Sequence, residues 1–66
     1  MNNGLTLNKL ITPDELAEIL RISRASVYRL IDGRTLPFYK VGGSIRFKNK
    51  DIEEYLEGFR FEPITK

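Results

Sequence analysis

The chain has 66 residues, which is enough for one small domain with a thin core. It contains neither cysteine nor histidine, and this excludes disulfides, thiolate zinc sites and the usual general base near neutral pH. Hydrophobic residues make up 41% without an apolar run near the roughly 20 residues of a membrane span. Because residues 1–8 also lack the pattern of a secretion signal, we expect a globular, cytoplasmic protein with no membrane partner.

The modest net charge of +2 hides a strong asymmetry along the chain. Residues 51–62 hold five acids against one arginine, whereas residues 21–50 hold a single acid, Asp32, against eight basic side chains: Arg21, Arg24, Arg29, Arg34, Lys40, Arg46, Lys48 and Lys50. A basic middle favours a polyanionic partner, because neutralising phosphates releases their counterions. The alternative is a charged surface that is simply solvated.

A first helix is predicted at about 13–20, after a flexible lead at 1–9. Thr12 is a good N-cap, Pro13 suits the first helical position, and Glu15 completes a capping box. Ile11 is placed to pack on this helix as a hydrophobic staple. An apolar stripe at helical spacing follows, made of Leu16, Ala17, Ile19 and Leu20.

A second helix is predicted at 24–31, with Ser23 as its N-cap. One face is aliphatic and carries Val27, Leu30 and Ile31. The opposite face carries Arg24, Ala25, Ser26, Tyr28 and Arg29. Asp32 and Gly33 end the helix, and we expect Gly33 to adopt the left-handed conformation there.

The residues from 38 to 48 change to a β pattern, and we call this segment the wing. A three-residue connection at 42–44 predicts a hairpin between 38–41 and 45–48. Alternation then predicts one apolar face (Tyr39, Val41, Ile45 and Phe47) and one basic face (Lys40, Arg46 and Lys48), with Phe38 partly exposed.

A last helix is predicted to begin with Asn49 as cap and to end at Gly58. Its apolar stripe is Ile52, Tyr55 and Leu56. The tail at 59–66 carries Phe59, Phe61 and Ile64, so it either folds back onto the core or serves a partner.

Two short helices joined by a three-residue turn indicate a helix-turn-helix. Ala17 falls where the helices cross and a small residue is required. Arg21 departs from the glycine often found in such a turn, where a non-glycine residue with positive φ is strained. The predicted fold is mainly α with a small β-hairpin, a winged helix-turn-helix DNA-binding domain at 10–58. The alternative is an ordinary αα-hairpin with a charged outer face.

The outer face of the second helix is rich in donors that contact phosphates and base edges. Its N-terminal half is the part that enters the major groove in such motifs. Arg24 can pair with guanine, Ala25 can touch a thymine methyl group, and Arg29 suits the flanking backbone. Tyr28 either contacts that backbone or covers the wing. The predicted recognition-helix residues are Ser23, Arg24, Ala25, Ser26, Tyr28 and Arg29.

The wing is the second predicted DNA-contacting element, and its glycines make the tip slim enough to approach a backbone. Its predicted contact residues are Lys40, Gly42, Gly43, Ser44, Arg46 and Lys48, with Arg46 the strongest candidate. The alternative is that the hairpin only closes the core.

Three ordered runs, LRISRASVYRLI at 20–31, LPFYKVGGSIRF at 36–47 and KDIEEYL at 50–56, resemble the excisionase-type branch of the MerR-like winged helix-turn-helix family. That branch includes phage and transposon excisionases, and small transcription regulators of the AlpA and BldC kind. The resemblance implies double-stranded DNA as partner, recognition by 24–29, and wing contacts near Gly43 and Arg46. It also implies that copies bind side by side, with a site-specific recombinase as a further partner.

Three functions remain open at this point. The first is an excisionase-like architectural factor of a mobile element, and the second is a small transcription regulator. A protein-interaction module using the apolar tail is the third. No cofactor, metal or small-molecule ligand is expected, because the chain is too short for the effector domain of full MerR regulators. No enzymatic activity is expected either, because no base is placed to activate a hydroxyl group.

Overall fold

The computed structural model describes residues 9–64. Three helices and a three-stranded antiparallel sheet follow in the order β1 (Leu10–Ile11), α1 (Pro13–Leu20), α2 (Arg24–Asp32), β2 (Tyr39–Val41), β3 (Ser44–Lys48) and α3 (Asn49–Glu57). This is the predicted winged helix-turn-helix architecture. The predicted flexible lead lies, apart from Lys9, outside the described residues. Within 9–64, no helix has both the length and the apolar character needed to cross a membrane.

The start of α1 is the predicted capping box. The Glu15 N–H donates to Thr12 Oγ1 with an N–O distance of 3.1 Å, and the Thr12 N–H donates to Glu15 Oε1 at 3.0 Å. Two donors that the first helical turn would leave unpaired are thereby satisfied. The boundaries of α1 and the cap of α2 at Ser23 are also as predicted.

Both helices of the helix-turn-helix end in Schellman motifs, each with an arginine in the left-handed region. After α1, Arg21 has φ 56°, and the Ile22 N–H donates to the Ala17 carbonyl at 3.0 Å. After α2, Arg34 has φ 53° and the Thr35 N–H reaches the Leu30 carbonyl at 3.0 Å.

The prediction of a left-handed Gly33 was therefore wrong. The helix runs one residue further than expected, to Asp32, so Gly33 keeps a helical φ of −83° and the reversal falls on Arg34. The positive φ expected at the turn position occupied by Arg21 is present.

The wing has a different register from the predicted one. Val41 pairs with Ser44, Lys40 with Ile45 and Tyr39 with Arg46, so the turn has two residues rather than three. Gly42 and Gly43 both have positive φ, 58° and 87°, as in a type I′ turn, whose twist matches that of the strands. A one-residue shift moves a whole strand's side chains to the opposite face.

The predicted faces of the wing were consequently wrong. Tyr39 and Val41 share the outer face with Arg46 and are 43% and 56% exposed, whereas Lys40 lies on the face of Ile45 and Phe47. Phe38 instead packs on the apolar inner face that was predicted for Tyr39 and Val41. It is half-buried and packs its ring edge-on against Phe47, with 6.4 Å between the ring centroids.

The turn gives a direct test of this register. Gly43→Ala is expected to lower the free energy of unfolding by about 1–2 kcal/mol, because alanine is strained at φ 87° while its Cβ would meet nothing within 4 Å. Thermal unfolding followed by circular dichroism measures the loss. Gly42→Asn is the matched control, since asparagine tolerates this position of a type I′ turn. Equal melting temperatures for Gly43→Ala and the native chain would contradict the assigned turn.

Strand β1 was not predicted and completes the sheet. Leu10 pairs with Lys48 and Ile11 with Phe47, so β3 is the central strand. Ile11 thereby faces the core, whose buried members among the described residues are Ile11, Leu16, Val27, Ile31, Leu36, Phe47 and Ile52. The sheet thus fixes the wing against the helix pair.

The last helix starts one residue earlier than predicted. Lys48 is its N-cap and makes no side-chain capping bond, because an ammonium group cannot accept a bond from a backbone N–H. Strand β3 runs directly into α3, so Asn49 is already helical. In the tail, the Phe59 ring packs against Tyr55 at 4.9 Å, while Phe61 and Ile64 remain 92% and 90% exposed. Most of the described tail therefore does not fold back onto the core.

Candidate nucleic-acid interface

The outer face of α2 is open to solvent, as predicted for a recognition helix. Val27 and Ile31 hold the inner face in the core. Arg24 and Tyr28 stand one turn apart along one edge of the helix, and Ala25 and Arg29 do so beside them. All four are exposed. The side chains that α2 offers to a partner are thus two cations, one phenol and one methyl group.

The two serines predicted as DNA contacts also form the cap of α2. The Ser26 N–H donates to Ser23 Oγ with an N–O distance of 3.1 Å, and the two hydroxyl oxygens lie 3.0 Å apart. Arg29 Nη1 donates weakly to Ser26 Oγ at 3.4 Å. Ser26 is half-buried rather than fully outward. Through these bonds its hydroxyl group connects the cap of α2 to Arg29.

The N-terminal ends of α1 and α2 are joined by an ion pair. Arg24 Nε lies 2.8 Å from Asp14 Oδ1, and both side chains are about two-thirds exposed, at 68% and 65%. Such an exposed pair adds little to stability. The pair matters for position, because it places Arg24, the first residue of α2, beside the start of α1.

A shallow groove of about 370 Å³ runs between α2 and the wing. Its lining comes from three elements: Pro13 of α1, Tyr28 of α2, and Gly43, Ser44, Ile45 and Arg46 of the wing. Tyr28 borders the wing, as one of the two alternatives predicted, and its ring stays 44% exposed. The groove places the tip of the wing and the exposed edge of α2 on one surface.

Arg46 lies at the wall of this groove and is half-buried. Its Nη1 donates to the Ile45 carbonyl oxygen at 2.8 Å. Its charge also acts on Glu15, whose pKa is lowered chiefly by the bond from the Thr12 N–H, with smaller contributions from Lys9 and Arg46. Arg46 thus lies close to the start of α1, whose Pro13 lines the same groove.

The other predicted wing residues divide between the two faces of the hairpin. Lys48 shares the outer face with Arg46 and is half-buried, whereas Lys40 is exposed on the opposite face at an edge strand. Gly42 and Gly43 form the tip, and Ser44 opens β3. The basic residues of the wing therefore flank its tip from two sides instead of forming one row.

Two site residues escaped the sequence analysis, Asp14 and Pro13. Asp14 was interpreted only as favourable for the helix dipole and Pro13 only as a helix-initiating residue. Their second roles arise from contacts between α1 and other elements, which no local pattern reports.

A separate groove lies on α3 and is lined by Lys50 and three acids, Glu53, Glu54 and Glu57. Across 9–64 no group of three acidic side chains is arranged to hold a metal ion.

Comparison with known proteins identifies similar chains. The model of the helix-turn-helix domain family matches residues 10–60. Two Mycobacterium tuberculosis proteins named as candidate DNA-binding proteins, MT0521 of strain CDC 1551 / Oshkosh and Rv0500A of strain ATCC 25618 / H37Rv, are similar to this chain. Each is 37% identical over 54 residues, which are 82% of this chain and 69% of the relative.

A third similar protein is the uncharacterized YvgK of Bacillus subtilis strain 168. It is 37% identical over 55 residues, which are 82% of this chain and 18% of that protein. The similar region is therefore a small part of a longer relative. No solved structure matches the chain.

Proposed function

The chain belongs to the helix-turn-helix domain family, and from this premise we propose that it binds double-stranded DNA. The N-terminal half of α2 enters the major groove, and the wing lies on the flanking backbone or in the minor groove. Residues 10–58 form the binding unit, and 59–66 are a tail outside it.

The observation that carries this proposal is the shared groove. Tyr28 of α2 and Arg46 of the wing line the same depression, together with Pro13 of α1. Arg24 is paired with Asp14, the residue after Pro13, and so lies at the same end of α1 as this groove. Cations from two separate elements on one surface are what a duplex requires, because its phosphates flank the groove that carries the base edges.

The proposed roles follow from chemistry and position. Arg24 reads a guanine and Ala25 contacts a thymine methyl group. Ser23, Ser26, Tyr28 and Arg29 contact the backbone beside the reading site. On the wing, Gly42, Gly43 and Ser44 allow close approach, and Lys40, Arg46 and Lys48 contact phosphates.

A salt titration tests the proposal. With four phosphate contacts from Arg29, Lys40, Arg46 and Lys48, the logarithm of the association constant is expected to fall with the logarithm of salt concentration at a slope of about −3 to −4. Raising salt from about 50 to about 200 mM then weakens binding about 100-fold. Fluorescence anisotropy with a labelled duplex measures this. An affinity that does not change over this range would contradict binding through phosphates.

Matched variants locate the contacts on the wing. Arg46→Gln is expected to reduce the steepness of the salt dependence by about one. Lys50→Gln, which removes an exposed cation from α3, is expected to leave it unchanged. Equal effects of the two changes would show that only total charge matters and not the proposed surface.

For the biological role we propose an excisionase-like architectural factor that directs site-specific recombination, supported by the three sequence runs at 20–31, 36–47 and 50–56. An excision assay with an integrase and its attachment sites tests this role. A chain that leaves excision unchanged but represses a promoter next to its binding site is instead a small transcription regulator.

The tail favours a second candidate function, a protein-interaction module. Phe61 and Ile64 are almost fully exposed, and such side chains are a suitable contact for a recombinase or a second copy on the same duplex. Phe61→Ser with Ile64→Ser is expected to leave binding to an isolated site unchanged and to lower cooperative binding to adjacent sites. A loss of binding at the isolated site would place the tail within the DNA-binding unit.

A further inference from the structure

The ion pair between α1 and α2 carries an inference that rests on the proposed function. We propose that Asp14 is a positioning residue that presents the Arg24 guanidinium to a guanine, and that Asp14 thereby determines base specificity. The observation behind it is the contact of 2.8 Å between Asp14 Oδ1 and Arg24 Nε.

The two partners differ in how firmly they are held. Arg24 is the first residue of α2, and its long side chain is 68% exposed, with the ion pair to Asp14 as its polar contact within the described residues. Asp14 is the second residue of α1, directly after Pro13 and inside a closed capping box. The carboxylate is therefore mounted on a rigid element, which is the condition for holding a recognition group in place.

The nitrogen used by Asp14 matters for base reading. A guanidinium group has five N–H donors in one plane. A carboxylate at Nε leaves the outer edge, formed by Nη1 and Nη2, able to donate two parallel bonds to the O6 and N7 atoms of guanine. The ion pair thus constrains the plane of the arginine without consuming the edge that recognises the base.

Arg29 provides a contrast on the same helix. Its partner is a neutral hydroxyl group, Ser26 Oγ, at 3.4 Å, which is a much weaker tie than a charge-assisted bond at 2.8 Å. A loosely held arginine suits a phosphate, which accepts donors from many directions. The ion-paired Arg24 suits a base edge, whose O6 and N7 atoms accept donors from fixed directions only.

The charge of Asp14 sharpens the distinction. A carboxylate at a DNA-facing surface repels phosphates and lowers affinity for every sequence alike. It contributes favourably only where the oriented Arg24 meets a guanine. The proposal therefore predicts a change in the ratio between preferred and other sequences, and not a general loss of affinity.

The experiment selects duplexes from a pool with a randomised central segment and sequences them before and after binding. The native chain is expected to enrich guanine at one position. Asp14→Asn is expected to reduce this preference about 5- to 10-fold while its affinity for unselected duplexes stays equal or rises. Glu18→Gln, which removes a charge one turn further along α1, is expected to keep the native preference.

Two measurements separate positioning from a structural effect. In the Arg24→Ala background, adding Asp14→Asn is expected to leave the base profile unchanged, because the group it positions is gone. Asp14→Asn is expected to unfold cooperatively, with a melting temperature only a few degrees below that of Glu18→Gln, because Asp14 also interacts favourably with the dipole at the start of α1.

Other outcomes overturn the inference in distinguishable ways. If Asp14→Asn raises affinity for all duplexes and keeps the guanine preference, Asp14 only repels phosphates, and the proposed function stands without the inference. If the native chain binds duplexes but enriches no guanine, Arg24 does not read a base and the inference fails with it. If the native chain binds no duplex in the pool, both the inference and the proposed function fail.

Discussion

Arg24→Ala is expected to weaken binding to the preferred DNA site by about 1–3 kcal/mol, roughly 5- to 150-fold, and to relax the base preference at one position. The reason is that a bidentate arginine–guanine pair both binds and discriminates. The variant loses only an exposed ion pair, so its fold is expected to persist. Titration of the preferred site and of a site changed at the guanine measures both effects.

Arg29→Ala is the matched control for this variant. It removes the same charge from the same face of α2, but its proposed contact is a phosphate. Binding is therefore expected to weaken by a similar factor on the preferred site and on the site changed at the guanine. The ratio of the two affinities is then the same as for the native chain. If Arg24→Ala also leaves the ratio native, Arg24 does not read a base. If neither change affects binding, the proposed face of α2 is not the DNA-binding surface.

Phe47→Ala is expected to unfold the domain at 25 °C. Phe47 is fully buried on the central strand and packs against Phe38. Removing such a ring costs about 3–5 kcal/mol, and a single core in a domain of this size rarely supplies more than about 3–5 kcal/mol in total. Far-UV circular dichroism of the variant is expected to show a disordered chain, with no cooperative transition on adding urea.

Phe61→Ala controls for the loss of an aromatic ring as such. The Phe61 side chain is 92% exposed, so its removal is expected to leave the urea midpoint unchanged. A cooperative transition of Phe47→Ala within about 1 kcal/mol of the native chain would contradict the central position assigned to this ring.

The elements predicted correctly are those fixed by neighbouring residues. The start of α1 depends on Thr12, Pro13 and Glu15, which satisfy one another within four positions. The start of α2 depends on Ser23 and the amide of Ser26. Because these signals are local, the sequence was sufficient to predict the helix pair and its exposed face.

The elements predicted wrongly or missed depend on choices that local pattern does not determine. Two glycines followed by a serine are compatible with a turn of two or of three residues, and a single residue decides which face Tyr39 and Val41 occupy. Strand β1 has only two residues and pairs with β3, more than thirty positions away along the chain. No alternation can appear in so short a segment.

The same division holds for the candidate site. The exposed cations of α2 follow from its helical period, so Arg24 and Arg29 were predictable as surface residues. The partner of Arg24 was not, because Asp14 reaches it only once α1 and α2 have packed. Lys40 and Arg46 were predicted on one face of the hairpin but lie on opposite faces, because the strand register differs from the predicted one.

The sheet has two outermost strands, and they are β1 with two residues and β2 with three. An outermost strand presents unpaired N–H and C=O groups to which a foreign strand can add, and very short strands limit this hazard. Lys40 in the middle of β2 adds a charge that disfavours such addition. The wing can therefore project from the domain while offering other chains only a short, charged strand edge as a template for aggregation.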